Sequence, residues 1–231
     1  MLGSWLRFLG EWWRDFYHTG AIAPSSRFLA RAMTEVLQPP RPPWRILEVG
    51  PGTGAVTAAI LRHLQPEDRL DLVEINPRFV EILQVRFASD PRFQPYVPQV
   101  YLYCTAFQEF CPPQRYECII SGLPLNNFRS EQVRGILQHF DELLLPGGWL
   151  VYFEYAWIRQ LKMPFVRKSE KRRLYRVGRI TQSFLQKRQA HRRLVLLNLP
   201  PAFVNYVRKK PASDGQAQGL GHPEAHNTAE T

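Results

Sequence analysis

Two carboxylates and three glycines carry the most specific chemical signal in this 231-residue chain. Glu48 stands two residues ahead of Gly50. The turn Gly50-Pro51-Gly52-Thr53-Gly54 follows the apolar run Arg45 to Val49 and precedes a helix-like stretch, Ala55 to Leu61. Glycines at such a turn let the backbone bend sharply and admit a ligand without meeting a Cβ. The free N–H groups and positive dipole end of the following helix attract an anionic group. Glu74 ends a second apolar run, Leu70 to Val73, about twenty residues beyond Gly54, the spacing at which a carboxylate reaches a ribose diol. Together these residues describe an adenosine-cofactor site. Gly50, Gly52 and Ala55 also satisfy the general dinucleotide pattern, so the glycines alone leave the cofactor open.

Such a turn must sit at the end of a strand. Strands are expected at 45–50, 70–75, 99–104, 116–121 and 149–154, and helices at 54–64, 77–88 and 130–144. Alternating β and α elements imply an α/β fold with a parallel sheet covered on both faces, binding ligands at the strands' carboxyl ends. Residues 193–198 and 202–207, joined through Leu199-Pro200-Pro201, read as an antiparallel hairpin completing that sheet. The helix expected at 27–37 precedes the proline-rich stretch 38–43, a stiff boundary between an accessory segment, 1–38, and a core domain, 44–210. Ser25 or Ser26, after Pro24, suits that helix's N-cap.

The charge is unevenly placed. Between Arg159 and Lys210 sixteen Lys and Arg face a single acid, Glu170, leaving −5 for the rest of a chain whose net charge is +10. So lopsided a segment, 159–192 above all, points to an anionic partner, either nucleic acid or a membrane surface. Residues 1–19 place Leu2, Trp5, Leu6, Phe8, Leu9, Trp12, Trp13, Phe16 and Tyr17 on one half of a helical wheel and charged residues on the other. Such a helix either packs on the core or lies in a membrane interface. Cys104, Cys111 and Cys118 match no metal or disulfide pattern and are expected to be reduced, in or near the core. No apolar run approaches the roughly 18 residues that span a bilayer, and no leader is recognised. The expected location is cytoplasmic, peripherally bound to the inner face of the membrane, with residues 211–231 a disordered tail.

The run Glu48 to Gly54 resembles the first motif of class I methyltransferases, and Pro146-Gly147-Gly148 resembles their loop before the fifth strand. The resemblance implies S-adenosylmethionine as cofactor and a Rossmann-like, mostly parallel seven-stranded sheet. Ser121-Gly122-Leu123-Pro124-Leu125 resembles the Asn-Leu-Pro-Tyr loop of ribosomal RNA adenine dimethyltransferases, but Gly122 stands for their Asn and Leu125 for their aromatic residue. Neither can receive or stack a flipped base, a need general to base chemistry. Taken with Gly20 to Ser26 and Asn198 to Ala202, the loop is similar to that of bacterial phospholipid N-methyltransferases.

That resemblance implies methyl transfer to the amine of phosphatidylethanolamine and no nucleic-acid partner; an RNA methyltransferase is the alternative. It implies cofactor contacts from Glu48, Gly50, Pro51, Gly52, Thr53, Gly54, Glu74, Ile75, Thr105, Ala106 and Ser121. Thr105 takes the place of an Asp usual in such enzymes. Tyr17, Ser121, Gly122 and Leu123 are expected around the reacting methyl, and Tyr17, Pro24, Ser25, Ser26 and Tyr155 around the lipid headgroup. Tyr17, Glu154 and Tyr155 are the candidate proton acceptors.

Overall fold

The computed structural model describes residues 27–156, 168–186, 188–198 and 200–211. The strands are β1 (Arg45–Val49), β2 (Arg69–Glu74), β3 (Val100–Cys104), β4 (Tyr116–Ser121), β5 (Leu144–Tyr155), β6 (Gln189–Val195) and β7 (Ala202–Arg208). The helices are α1 (Arg27–Met33), α2 (Thr57–Leu61), α3 (Pro77–Ser89), α4 (Ser130–Leu143) and α5 (Lys168–Gln186). They build one seven-stranded sheet in the order β3-β2-β1-β4-β5-β7-β6. The first five strands are parallel, and β7 runs antiparallel to both β5 and β6. The expected sheet and its terminal hairpin are both present.

The order reverses between β1 and β4, and at such a switch point the helices leave a crevice above the strands' carboxyl ends. Register brings the ends together: Val49 lies beside both Val73 and Ser121, and Glu74 lies beside Cys104. β1, β2 and β4 are buried nearly throughout, as strands covered on both faces must be. One apolar layer joins Leu29, Met33, Ile46, Ile60, Leu72 and Tyr206, and the other joins Leu47, Ile119, Val133, Phe140 and Tyr152.

Several expectations are corrected. The segment 27–37 is part of the core, since Leu29, Met33 and Leu37 are fully buried and Tyr206 donates its hydroxyl to the Ala32 carbonyl at 2.7 Å. Nor is the proline-rich stretch a free linker. Arg41 binds the Asp68 carboxylate and donates to the carbonyls of Leu37 and His63. β5 begins at Leu144, five residues early, because the Pro146-Gly147-Gly148 turn is taken into it as an irregularity opposite Tyr116 and Cys118. β6 lies at 189–195, four residues ahead of its expected start. Most of the basic segment that is described is a 19-residue helix, α5. The α2 helix is confined to 57–61, because turns occupy the chain after Gly54. Cys118 is buried as expected, whereas Cys104 and Cys111 are exposed. Residues 1–19 and 212–231 lie outside the described residues, so the amphipathic helix and nearly all of the tail stay expectations. Among the described residues, no helix is long and apolar enough to cross a membrane.

Candidate functional site

The glycine turn is shaped by its own backbone. Gly50, Gly52 and Gly54 have φ of 71°, 57° and 84°, a region in which a Cβ is strained. The turn is pinned from β2, where the Val73 carbonyl accepts Gly50 N–H at 2.9 Å and the Glu74 carboxylate accepts Gly52 N–H at 3.0 Å. Behind it, Arg86 of α3 donates to the Thr53 carbonyl at 2.6 Å. A Cβ on Gly54 would lie 2.8 Å from Leu83 and 3.2 Å from Arg86, so the turn and α3 are in close contact there. Pro51 is buried and Thr53 half-buried.

Glu74 is 5% exposed and also accepts Asn76 N–H at 2.9 Å, so both carboxylate oxygens are met by backbone donors. Burial raises its pKa, opposed by the N–H donors. Asn76 caps α3 through its side chain, with Pro77 at the first helical position. Ile75, between Glu74 and Asn76, is half-buried. Thr105 follows β3 and donates its N–H to the Glu74 carbonyl at 3.1 Å, followed by half-buried Ala106. The structure therefore gathers Glu74, Ile75, Thr105 and Ala106 along the β2–β3 edge of the crevice.

Glu48 is 1% exposed and accepts the Thr57 hydroxyl at 2.7 Å. Burial pushes its carboxyl up to about 8; the Thr57 hydrogen bond opposes this, and the nearby Glu74 adds to it. Among the described residues no salt bridge pairs Glu48 with a cation, and a cationic ligand group arriving there would favour the carboxylate.

On the other side of the turn lies the loop after β4. Ser121 is fully buried, and its hydroxyl accepts Leu123 N–H at 3.2 Å. Gly122 donates to the Val49 carbonyl at 2.8 Å, so this loop lies directly on the glycine turn. A Cβ at Gly122 would stand 2.5 Å from the Gly50 carbonyl oxygen, which leaves no room for a side chain. Leu123 packs over Gly50, and Leu125 is buried in the core rather than turned toward an acceptor. Arg173 of α5 ties this loop down, donating to the carbonyls of Asn126 at 2.9 Å and Phe128 at 2.6 Å.

Tyr155 ends β5, and burial pushes its phenol up to about 12, which keeps it protonated near neutral pH. Glu154 is paired with Arg192 at 3.2 Å. Neither is a free proton acceptor. Tyr17, Pro24, Ser25 and Ser26 lie outside the described residues.

Sequence reasoning missed Thr57, Arg86 and Arg173. Thr57 follows Glu48 by nine residues in a helix that looked merely apolar, and Arg86 and Arg173 meet the site only through tertiary packing. Asn76-Pro77 was a legible cap signal.

Positive-φ glycines on a pinned turn, a diol-spaced carboxylate and a buried carboxyl that no cation pairs among the described residues fit S-adenosylmethionine, which offers a ribose, a cationic amine and a carboxylate. Residues 47–150 match the family described as "Methyltransferase domain". The structure resembles that of the N-methyltransferase NodS from Bradyrhizobium japonicum WM9 in complex with S-adenosyl-L-homocysteine, with a TM-score of 0.56, 16% identity, and coverage of 79% of this chain and 87% of that one. The fold is that of class I methyltransferases, and the part of the chain that matches the methyltransferase family holds the glycine turn, both carboxylates and the acceptor loop. In sequence it is 28% identical over 158 residues to an ornithine lipid N-methyltransferase of Singulisphaera acidiphila, covering 66% of this chain and 79% of that protein. It is also 46% identical over 54 residues to ribosomal RNA small subunit methyltransferase A of a Synechococcus species, covering 23% of this chain and 19% of that protein.

Proposed function

We propose that this protein transfers methyl groups from S-adenosylmethionine to the amine of a membrane lipid, with phosphatidylethanolamine as the acceptor. The similarity to an ornithine lipid N-methyltransferase, over most of that protein's length, carries the reading. The acceptor loop supports it: an RNA adenine enzyme needs side chains to receive and stack a base, and here Gly122 has room for none while Leu125 is buried. The similarity to the ribosomal RNA enzyme spans only 54 residues.

In this reading Glu74 accepts the ribose hydroxyls, Glu48 faces the methionyl amine, and Gly50, Pro51, Gly52, Thr53 and Gly54 follow the cofactor's backbone. Ile75, Thr105 and Ala106 flank the adenine. The bound cofactor supplies an electrophilic methyl on a sulfonium, open to in-line displacement. Ser121, Gly122 and Leu123 line the approach and hold the amine nitrogen in line, and alignment itself is the main rate advantage available. An ethanolamine ammonium must lose a proton before attack. Since Tyr155 stays protonated and Glu154 is held by Arg192, the proton goes to water or to Tyr17.

The test is incubation with methyl-labelled cofactor and vesicles of phosphatidylethanolamine plus an anionic lipid, followed by separation of the lipids. Label in mono-, di- or trimethylated ethanolamine lipids is expected. Label in added ribosomal RNA, with none in lipid, would replace this reading by the RNA one.

A further inference from the structure

At the carboxyl rim of the sheet, two features have no role in the catalytic centre. The turn joining β6 to β7 leaves Val195 and returns to Ala202, which are registered with each other, and Ala202 is registered with Tyr155 at the end of β5. It is fastened there, with Ala156 donating to the Pro201 carbonyl at 2.7 Å. On this turn Leu196 and Leu197 are 64% and 69% exposed, consecutive leucines held in water on a fixed support. Turns are ordinarily rich in polar residues and glycine, and two consecutive leucines held out from one offer a contact for an apolar partner.

Across the rim, where α4 begins beside the acceptor loop, a pocket of about 320 Å³ is lined by Arg129, Ser130, Glu131, Arg172, Arg173 and Arg176. Four guanidinium groups face one carboxylate there, an excess of three positive charges. Arg173 is committed to the acceptor loop, but Arg172 and Arg176 are exposed and form no ion pair among the described residues. Tyr175, 68% exposed, stands between those two arginines on the same helix. Arginine forks suit phosphate oxygens, and tyrosine suits the headgroup layer.

We infer that this rim is a membrane-docking face: Leu196 and Leu197 enter the apolar layer of an anionic bilayer while the arginine pocket takes a lipid phosphate. The acceptor loop leads into the arginine pocket at Arg129 and the leucine turn stands beside the end of β5, so both footholds lie at the carboxyl rim where the crevice opens, and docking brings its mouth to the lipid. Of the anionic partners, only a lipid surface offers phosphates and an apolar layer together. RNA provides nothing for the leucines to enter, and a protein partner would have to match both features. The inference names the surface from which the proposed reaction draws its acceptor, and it rests on that reading for its purpose.

Docking is testable without the reaction, on vesicles of phosphatidylcholine and phosphatidylglycerol, which contain no methylatable amine. In the full chain carrying Cys104→Ser and Cys111→Ser, an environment-sensitive fluorophore is attached to Leu197→Cys. A control label goes on Glu67→Cys, an exposed position before β2 at the opposite end of the sheet. The expected result is a blue shift and quenching by lipids with chain-borne quenchers at position 197 and neither at position 67. Equal signals at both positions, or a Leu197 label that stays in water while the protein sediments with vesicles, would overturn the inference, as would no vesicle binding at all.

A second variant, Arg172→Ala with Arg176→Ala, is expected to weaken vesicle partition roughly ten- to thirtyfold at low salt, and by less as ionic strength rises. Unchanged partition would remove the phosphate pocket from the inference. The two readings fail separately. Docking without methylation of phosphatidylethanolamine sinks the proposed acceptor, whereas methylation without label insertion sinks only the docking face.

Discussion

At the scale of the residue, Gly122 and Glu48 make the sharpest demands. The Gly50 carbonyl oxygen opposite Gly122 is backbone and cannot rotate away, so Gly122→Ala must separate the acceptor loop from the glycine turn. Overpacking of this kind costs about 1–3 kcal/mol. The expected outcome is a lower melting temperature and at least roughly tenfold weaker cofactor binding, since both loops border one crevice. Glu48 makes stability depend on pH. Its carboxyl is near 4.5 when unfolded and about 8 when folded, so it is neutral in both states at low pH. As pH rises the unfolded chain ionises first. The stability this group contributes is therefore complete below about 4.5 and gone above about 8. The melting temperature of the ligand-free protein is expected to fall between about pH 5 and 8, and Glu48→Gln is expected to flatten that slope. A cofactor amine at Glu48 would also expel the proton, so calorimetric binding near pH 7 is expected to release one, and Glu48→Gln to release none. Glycines and carboxylates of this kind were legible because they act through local spacing. Thr57 was not, because a threonine in an apolar helix signals nothing until Glu48 is seen beneath it.

At the scale of the element, α5 explains why the acceptor loop holds its shape. Arg173 donates to two loop carbonyls, while Val177, Ile180 and Phe184 pack the helix's inner face against the layer containing Val133 and Tyr152. Arg173→Ala removes charge-assisted bonds worth about 1.5–3 kcal/mol each and leaves half-buried carbonyls without their donor. The expected effect is faster amide exchange across residues 122–129 and a methyl-transfer rate lowered roughly tenfold or more, with cofactor affinity nearly unchanged. An equal loss of cofactor binding would mean that α5 supports the whole crevice rather than the loop. The sequence showed this segment as a block of charge and not as a helix, since arginines dominate its composition and only its inward face carries the helical period. β5 was misread at its start for a related reason. Pro146 and Gly147 mark a turn, and an irregular strand accommodates that turn without ending.

At the scale of the whole molecule, the boundary that composition drew at 38–43 divides what the fold joins. Prolines in that stretch signalled a linker, yet long-range packing decides the matter. Arg41 is held by Asp68, α1 lies against β6 and β7, and Leu29, Met33 and Leu37 each lie fully inside the same apolar layer as Ile46 and Tyr206. The parallel sheet could be anticipated from the alternation of elements, which leaves its strand order open. The docking of α1 could not, because its partners are about 170 residues away in sequence. Removing the first 38 residues would strip three large side chains from a closed core, each worth about 2–5 kcal/mol. That total rivals the 5–15 kcal/mol by which a typical domain is stable. A chain of residues 39–231 is therefore expected to be unfolded or molten, with lost near-ultraviolet dichroism and no cofactor binding, even though it retains every strand, the glycine turn and the acceptor loop. A cooperative melt within a few degrees of the full chain would show instead that α1 rides on a self-sufficient domain.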